Sequence, residues 1–83
     1  MSVENAITLL EEIINDRTVP RNIKRAAEEA KKFLLGNDPL EVRLSAAISI
    51  LDEIVNDPNM PIYARTKIWN AVSILENKRK ELK

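Results

Sequence analysis

The chain has no cysteine and no histidine. Without thiols, no disulfide can staple the fold and no thiolate can bind a metal or attack a carbonyl; the redox compartment stays open. Without imidazole, the commonest general base and the commonest transition-metal ligand are both missing. Glycine occurs once, at position 36, and the aromatics are one Trp, one Tyr and one Phe. Apolar runs stop at three or four residues, far short of the ~20 that cross a bilayer as a helix. An excess of either charge is missing too: thirteen basic and thirteen acidic side chains cancel, whereas a domain built to hold a phosphate backbone carries a clear positive excess. The opening MSVENA has no basic stretch followed by an apolar one, so a soluble cytoplasmic protein without a signal peptide is expected.

What is present is helical periodicity. Val3, Ala6, Ile7, Leu10, Ile13 and Ile14 repeat at the i, i+3, i+4 spacing of an amphipathic helix. So do Ile23, Ala26, Ala27, Ala30, Phe33 and Leu34; then Leu40, Leu44, Ala47, Ile48, Leu51, Ile54 and Val55; then Ala64, Ile68, Ala71, Val72 and Leu75. No stretch alternates with period two, so no strand is expected. Prolines at 20, 39, 58 and 61 divide the segments. Gly36 suits a left-handed position just past a helix end. Asp38 before Pro39, with Glu41 following, reads as a capping-box-like start, and Thr18 and Asn59 are candidate caps ahead of Pro20 and Pro61. The spacing predicts helices over 3–15, 20–35, 39–56 and 61–80, burying Leu10, Ile13, Phe33, Leu34, Ile48, Leu51, Ile68 and Leu75. Connections of about three or four residues would set successive helices side by side and antiparallel.

A shift of 41 residues superposes the chain on itself: AITLLEEIINDRTVP lies over AISILDEIVNDPNMP, with Ala6/Ala47, Leu10/Leu51, Asp16/Asp57 and Pro20/Pro61 among the identical pairs. The reading is one all-α domain over 1–83, a four-helix up-and-down bundle made of two related hairpins, 2–36 and 38–83. NDPLEVRLSAAISIL also resembles a HEAT-repeat helix, so a two-repeat HEAT-like pair is the alternative, although solenoids generally need at least ~3 repeats to bury their faces. The stretch from Ala6 to Glu76, above all LLEEIINDRTVPRNIKRAAEEA and ISILDEIVNDPNMPIYARTKIW, is similar to a small archaeal family of compact four-helix proteins without an assigned function. That resemblance implies an archaeal, cytoplasmic origin and carries over no functional residue.

The pair Asn-Asp occurs three times, at 15–16, 37–38 and 56–57, each at a helix junction. Asn tolerates the left-handed backbone at a helix end, and Asp bonds the backbone two residues on or caps the next helix. In an up-and-down bundle the first and third loops share an end, so Asp16 and Asp57 could together offer oxygens to Mg²⁺ or Ca²⁺. The spacing matches no EF-hand, and junction chemistry is the preferred reading, with no metal and no cofactor expected. Glu11-Glu12 and Asp52-Glu53 oppose the dipole at helix ends, with Arg17, Lys24 and Arg65 as candidate counter-charges. Basic pairs alternate with acidic ones as on an exposed helix face. Only Lys78-Arg79-Lys80 suggests a weak phosphate-binding arm, and it lacks an aromatic platform.

Trp69 carries the most information. Its counterpart 41 residues earlier is Glu28; Ile62 and Tyr63 likewise replace Arg21 and Asn22. Trp69 either packs over the edge of its own bundle or under the C-terminal tail, or belongs, with Ile62 and Tyr63, to an apolar patch that meets a partner or a second copy. The expected function is a non-catalytic structural or protein-interaction module, acting as a homodimer or with an unknown protein partner, without a membrane. An accessory subunit of a nucleoprotein particle, binding nucleic acid weakly, is the alternative. Ser2, Ser45, Ser49 and Ser73 have no His or Cys to activate them, so no catalytic residue is expected.

Overall fold

The four apolar stripes become α1 (Val3–Ile14), α2 (Arg21–Leu34), α3 (Leu40–Ile54) and α4 (Ile62–Glu81) in a computed structural model that describes residues 2–82. Met1 and Lys83, the ends of the expected 1–83 span, lie outside the described residues, among which there is no strand. The prolines set three of the starts, one residue later than expected. Pro20, Pro39 and Pro61 are N-caps, with ψ of 151°, 144° and 146°. Their carbonyls accept the N–H groups of Lys24, Arg43 and Arg65. A residue outside the helix needs no helical N–H, so proline is at no disadvantage there. The expected side-chain caps are therefore not used: none of α2, α3 and α4 has a side-chain hydrogen bond at its N-cap.

The end of α2 also departs from expectation. Its C-cap, Leu35, is right-handed at φ −90° and ψ −1°, and no described residue, Gly36 included, has a positive φ. Arg43 completes the end instead. Its Nη1 donates to the Leu34 carbonyl at 3.0 Å and its Nε to the Asp38 carbonyl at 2.7 Å, pinning the turn between α2 and α3. Glycine suits position 36 through close approach: a Cβ there would stand 3.3 Å from the Phe33 carbonyl oxygen.

In cross-section the order is cyclic. α1 lies between α2 and α4, α3 lies between the same two, and the closest packing is α2 on α3 and α1 on α4. Stacking of α1 on α3 and α2 on α4, which a HEAT-like pair requires, is absent among the described residues. The chain is a four-helix up-and-down bundle. One continuous core runs through it, with Leu10, Ile13, Ile23, Leu44, Leu51, Ile68 and Leu75 sealed from solvent. Six alanines, 6, 27, 30, 47, 64 and 71, are fully buried between the helices, where a small side chain allows close approach. The Cα radius of gyration is 11.8 Å, equal to the ~12 Å of a well-packed chain of this length.

Seven of the eight residues expected in the core are there; Phe33 is not, at 36% exposed. Along α2 the core positions fall to Ile23, Ala27, Ala30 and Leu34, and Phe33, one residue before Leu34, is turned about 100° away from it. Val19 and Met60, in the connections 15–20 and 55–61, are buried at 4% each. These connections are longer than expected because each folds into a turn that seats an apolar residue under the bundle end.

Candidate interaction face and the loops beside it

The first and third loops do meet at one end. In each, an aspartate caps its own turn: Thr18 N donates to Asp16 Oδ1 and Asn59 N to Asp57 Oδ1, both at 2.8 Å. In each, a backbone bond closes the turn, Val19 N to Asp16 O at 3.3 Å and Met60 N to Asp57 O at 3.1 Å. The loops are then tied across the bundle by positions 41 apart in sequence. Asn22 Nδ2 donates to Asp57 Oδ2 at 3.0 Å. Its counterpart Tyr63 gives its O–H to Thr18 Oγ1, whose own proton goes to Asp16 Oδ1 at 2.7 Å. These bonds hold the Asp16 carboxyl below the ordinary carboxylate value, the Thr18 hydroxyl first and the Thr18 N–H second. Desolvation, followed by the neighbouring Asp16, raises the Tyr63 hydroxyl.

Both aspartates thus accept hydrogen bonds from their own turns; Asp57 also accepts one from the opposite hairpin, and Asp16 is tied to it through Thr18. Among the described residues, no three His, Cys, Asp or Glu side chains gather in a group able to hold a metal ion. The acidic pairs near the helix ends resolve differently from expectation. Glu11 pairs with Lys31 of α2 at 3.1 Å and Glu12 with Lys67 of α4 at 3.3 Å, not with Arg17, Lys24 or Arg65. Arg65 instead gives Nη2 to the Asp57 carbonyl at 2.9 Å. Asp52 and Glu53 line a wide-open groove between α3 and α4, of about 420 Å³, with Ser45, Ser49, Glu76 and Arg79. Such an open, polar trough does not exclude water from a reacting group.

The distinctive surface is the outer side of α4. Ile62 is 80% exposed, Trp69 59% and Tyr63 45%. Trp69 is therefore not a core residue, and more than half of its surface is open to solvent. The stripe extends to residues that sequence reasoning missed: Thr66, Asn70 and Ser73 are exposed on the same side, since steps of three, four and seven share a helix face. The signal was present in the 41-residue shift. On α2 the corresponding exposed positions are Arg21, Arg25, Glu28, Glu29 and Lys32; on α4 they are Ile62, Thr66, Trp69, Asn70 and Ser73. Every charge on that face of α2 has an uncharged counterpart on α4. Charges return on the shoulders: Arg65 and Glu76 toward α3, and Lys67 toward α1.

Two polar groups on this face are already satisfied within the fold. Thr66 Oγ1 donates to the Ile62 carbonyl at 3.1 Å, and the Tyr63 hydroxyl is bound to Thr18. Covering the Thr66 methyl and the Tyr63 ring would therefore strand no donor. No helix of the described residues is long and apolar enough to cross a membrane, so the exposed apolar side chains are not part of a helical span.

Comparison with known proteins agrees with this architecture. The chain is 61% identical over 70 residues to a UPF0147 protein of Methanocaldococcus jannaschii, an alignment covering 82% of this chain and 74% of the relative. The crystal structure of the unknown-function protein MMP1188 superposes with a TM-score of 0.85 at 52% identity, covering 89% of this chain and 85% of that one. A structure from Thermoplasma acidophilum, also of the uncharacterized family UPF0147, superposes with a TM-score of 0.84 at 37% identity, covering 89% and 88%. The model of the uncharacterised protein family UPF0147 matches residues 1–77, and the chain belongs to that family.

Proposed function

We propose that the chain is a non-catalytic, cytoplasmic interaction module, built as a duplicated hairpin, whose contact surface is the outer face of α4 with Ile62, Tyr63 and Trp69. One observation carries this reading. Five exposed positions that bear charges on α2 are uncharged on α4, leaving an isoleucine and a tryptophan open to water. A large apolar side chain left in solvent forgoes roughly 1.5–3 kcal/mol of burial. Exposed apolar surface concentrated on one face is characteristic of a contact site. The chemistry of the chain supports a non-catalytic role: Ser45 and Ser49 in the α3–α4 groove have no imidazole or thiol to work with.

The test is affinity isolation from native cells with wild type and Trp69→Glu, each with and without nuclease. Protein partners that survive nuclease and depend on Trp69 are the expected result. Loss of every partner on nuclease treatment would favour an accessory role in a nucleoprotein particle. Partners held equally by Trp69→Glu would overturn the assignment of the face.

A further inference from the structure

We propose that the α4 face is completed by a second copy of the chain, with the two α4 helices packed antiparallel about a two-fold axis between Trp69 and Asn70. This rests on the reading of that face as a contact surface and names its occupant. A two-fold interface must be complementary to itself, so each feature needs its counterpart on the same surface. The face meets that condition in shape. It has one large knob, Trp69, beside the smaller Thr66, Asn70 and Ser73. An antiparallel register about this axis sets Trp69 over the partner's Asn70, Thr66 against the partner's Ser73, and Ile62 against the partner's Asn77. Each indole enters a notch, and its N–H meets an amide or hydroxyl oxygen.

The charges agree with the same operation. No charged group on the stripe is brought against its own copy. On the shoulder facing α3, the axis sets Arg65 level with the partner's Ile74 and two residues, about 3 Å of helix rise, from the partner's Glu76, and the symmetry makes that opposite-charge pair twice. A different partner bearing strong charge would find no counter-charge on the stripe itself. The size is also informative. Ile62 to Asn77 spans about 22 Å of helix. Trp69 and Tyr63, 59% and 45% exposed, leave roughly 200 Å² of aromatic surface open. Specific interfaces begin near 500 Å² per partner, so the stripe needs its shoulders to reach that size, and the dimer is a dissociable one.

The test is sedimentation velocity on the full chain over a wide concentration range, with wild type, Trp69→Glu and Ser73→Arg. Wild type should shift from monomer to dimer with concentration, and both variants, still helical by circular dichroism, should stay monomeric. The chain has no native cysteine, so Asn70→Cys gives a clean second readout. Under oxidation it should form a disulfide-linked dimer, whereas Glu29→Cys, at the matching position on α2, should not. A wild type that remains monomeric throughout overturns the second copy. If Trp69-dependent partners still appear in the native isolation, the contact face stands without it; if none appears, both readings fail. Dimers that persist in both variants, or that cross-link equally through Glu29→Cys, also overturn it.

Discussion

Asp16 shows how one residue type serves a turn and a cross-loop tie together. Its Oδ1 accepts the Thr18 N–H and the Thr18 hydroxyl, which in turn accepts from Tyr63. The carboxyl is held below its ordinary value by these bonds, the Thr18 hydroxyl contributing most. A depressed carboxyl stabilises the fold above its unfolded value of about 3.9, and the contribution disappears as pH falls through the lower folded value. Thr18→Ala is expected to move the Asp16 midpoint up toward the ordinary carboxylate value in a carbon-detected NMR titration; an unmoved midpoint would refute the assigned cause. Neither Mg²⁺ nor Ca²⁺ at millimolar concentration should raise the melting temperature. A cation at a hundred times its dissociation constant would add about 2.7 kcal/mol, so a rise of several degrees that Asp16→Asn or Asp57→Asn abolishes would contradict the hydrogen-bonding role. Gly36 supplies a third residue-scale test. A left-handed glycine changed to alanine costs about 1–2 kcal/mol. With negative φ, the loss of unfolded-state freedom offsets the crowding against the Phe33 carbonyl, so Gly36→Ala should change unfolding free energy by less than about 0.5 kcal/mol.

Among the elements, α2 and α4 make the most instructive comparison. Both bury a stripe: Ile23, Ala27, Ala30 and Leu34 on one, Ala64, Ile68, Ala71 and Leu75 on the other. Ile23 with Ala27 and Ala64 with Ile68 place large and small side chains in opposite order at matched positions. The buried stripes were legible because period 3.6 survives on the inward face of each helix. Phe33 was misread because an apolar side chain beside the stripe is indistinguishable in sequence from one within it. The turns were partly legible. Asp16 and Asp57 do bond the backbone two residues on, but Val19 and Met60 gave no periodic signal because they lie outside the helices. Arg43 was invisible as a cap, since its role depends on where the turn after α2 brings the Leu34 and Asp38 carbonyls. Of the candidate face, Ile62, Tyr63 and Trp69 stood out by size, whereas Thr66, Asn70 and Ser73 emerge only beside the charges of α2. Denaturant unfolding separates the two sides of α4. Trp69→Glu should fall within about 0.5 kcal/mol of wild type under monomeric conditions, as an exposed substitution. Leu75→Ala, from a fully buried position, should lose about 2–5 kcal/mol. Equal losses would mean that the indole belongs to the core.

At the scale of the whole molecule, the cyclic order of helices brings the first and third loops to one end and leaves the outer side of α4 uncovered. A single core in a chain of this size has little burial in reserve, so an open tryptophan is a conspicuous expenditure of apolar surface. Circular dichroism should report helix well above the roughly one third of ordinary domains, with no strand signature; a helix content near that average would contradict the bundle. Net charge of zero offers little long-range repulsion to association. The central claim, that the α4 face is a contact surface and not core, is tested most directly by the emission of Trp69, the chain's sole tryptophan. In dilute, folded protein the emission maximum should lie close to that of free tryptophan in water. It should move to shorter wavelength, with loss of quenching by acrylamide, as the concentration rises. A short-wavelength, quencher-protected emission that persists at the highest dilution, while the protein is monomeric by light scattering, would place the indole inside its own bundle and contradict the claim.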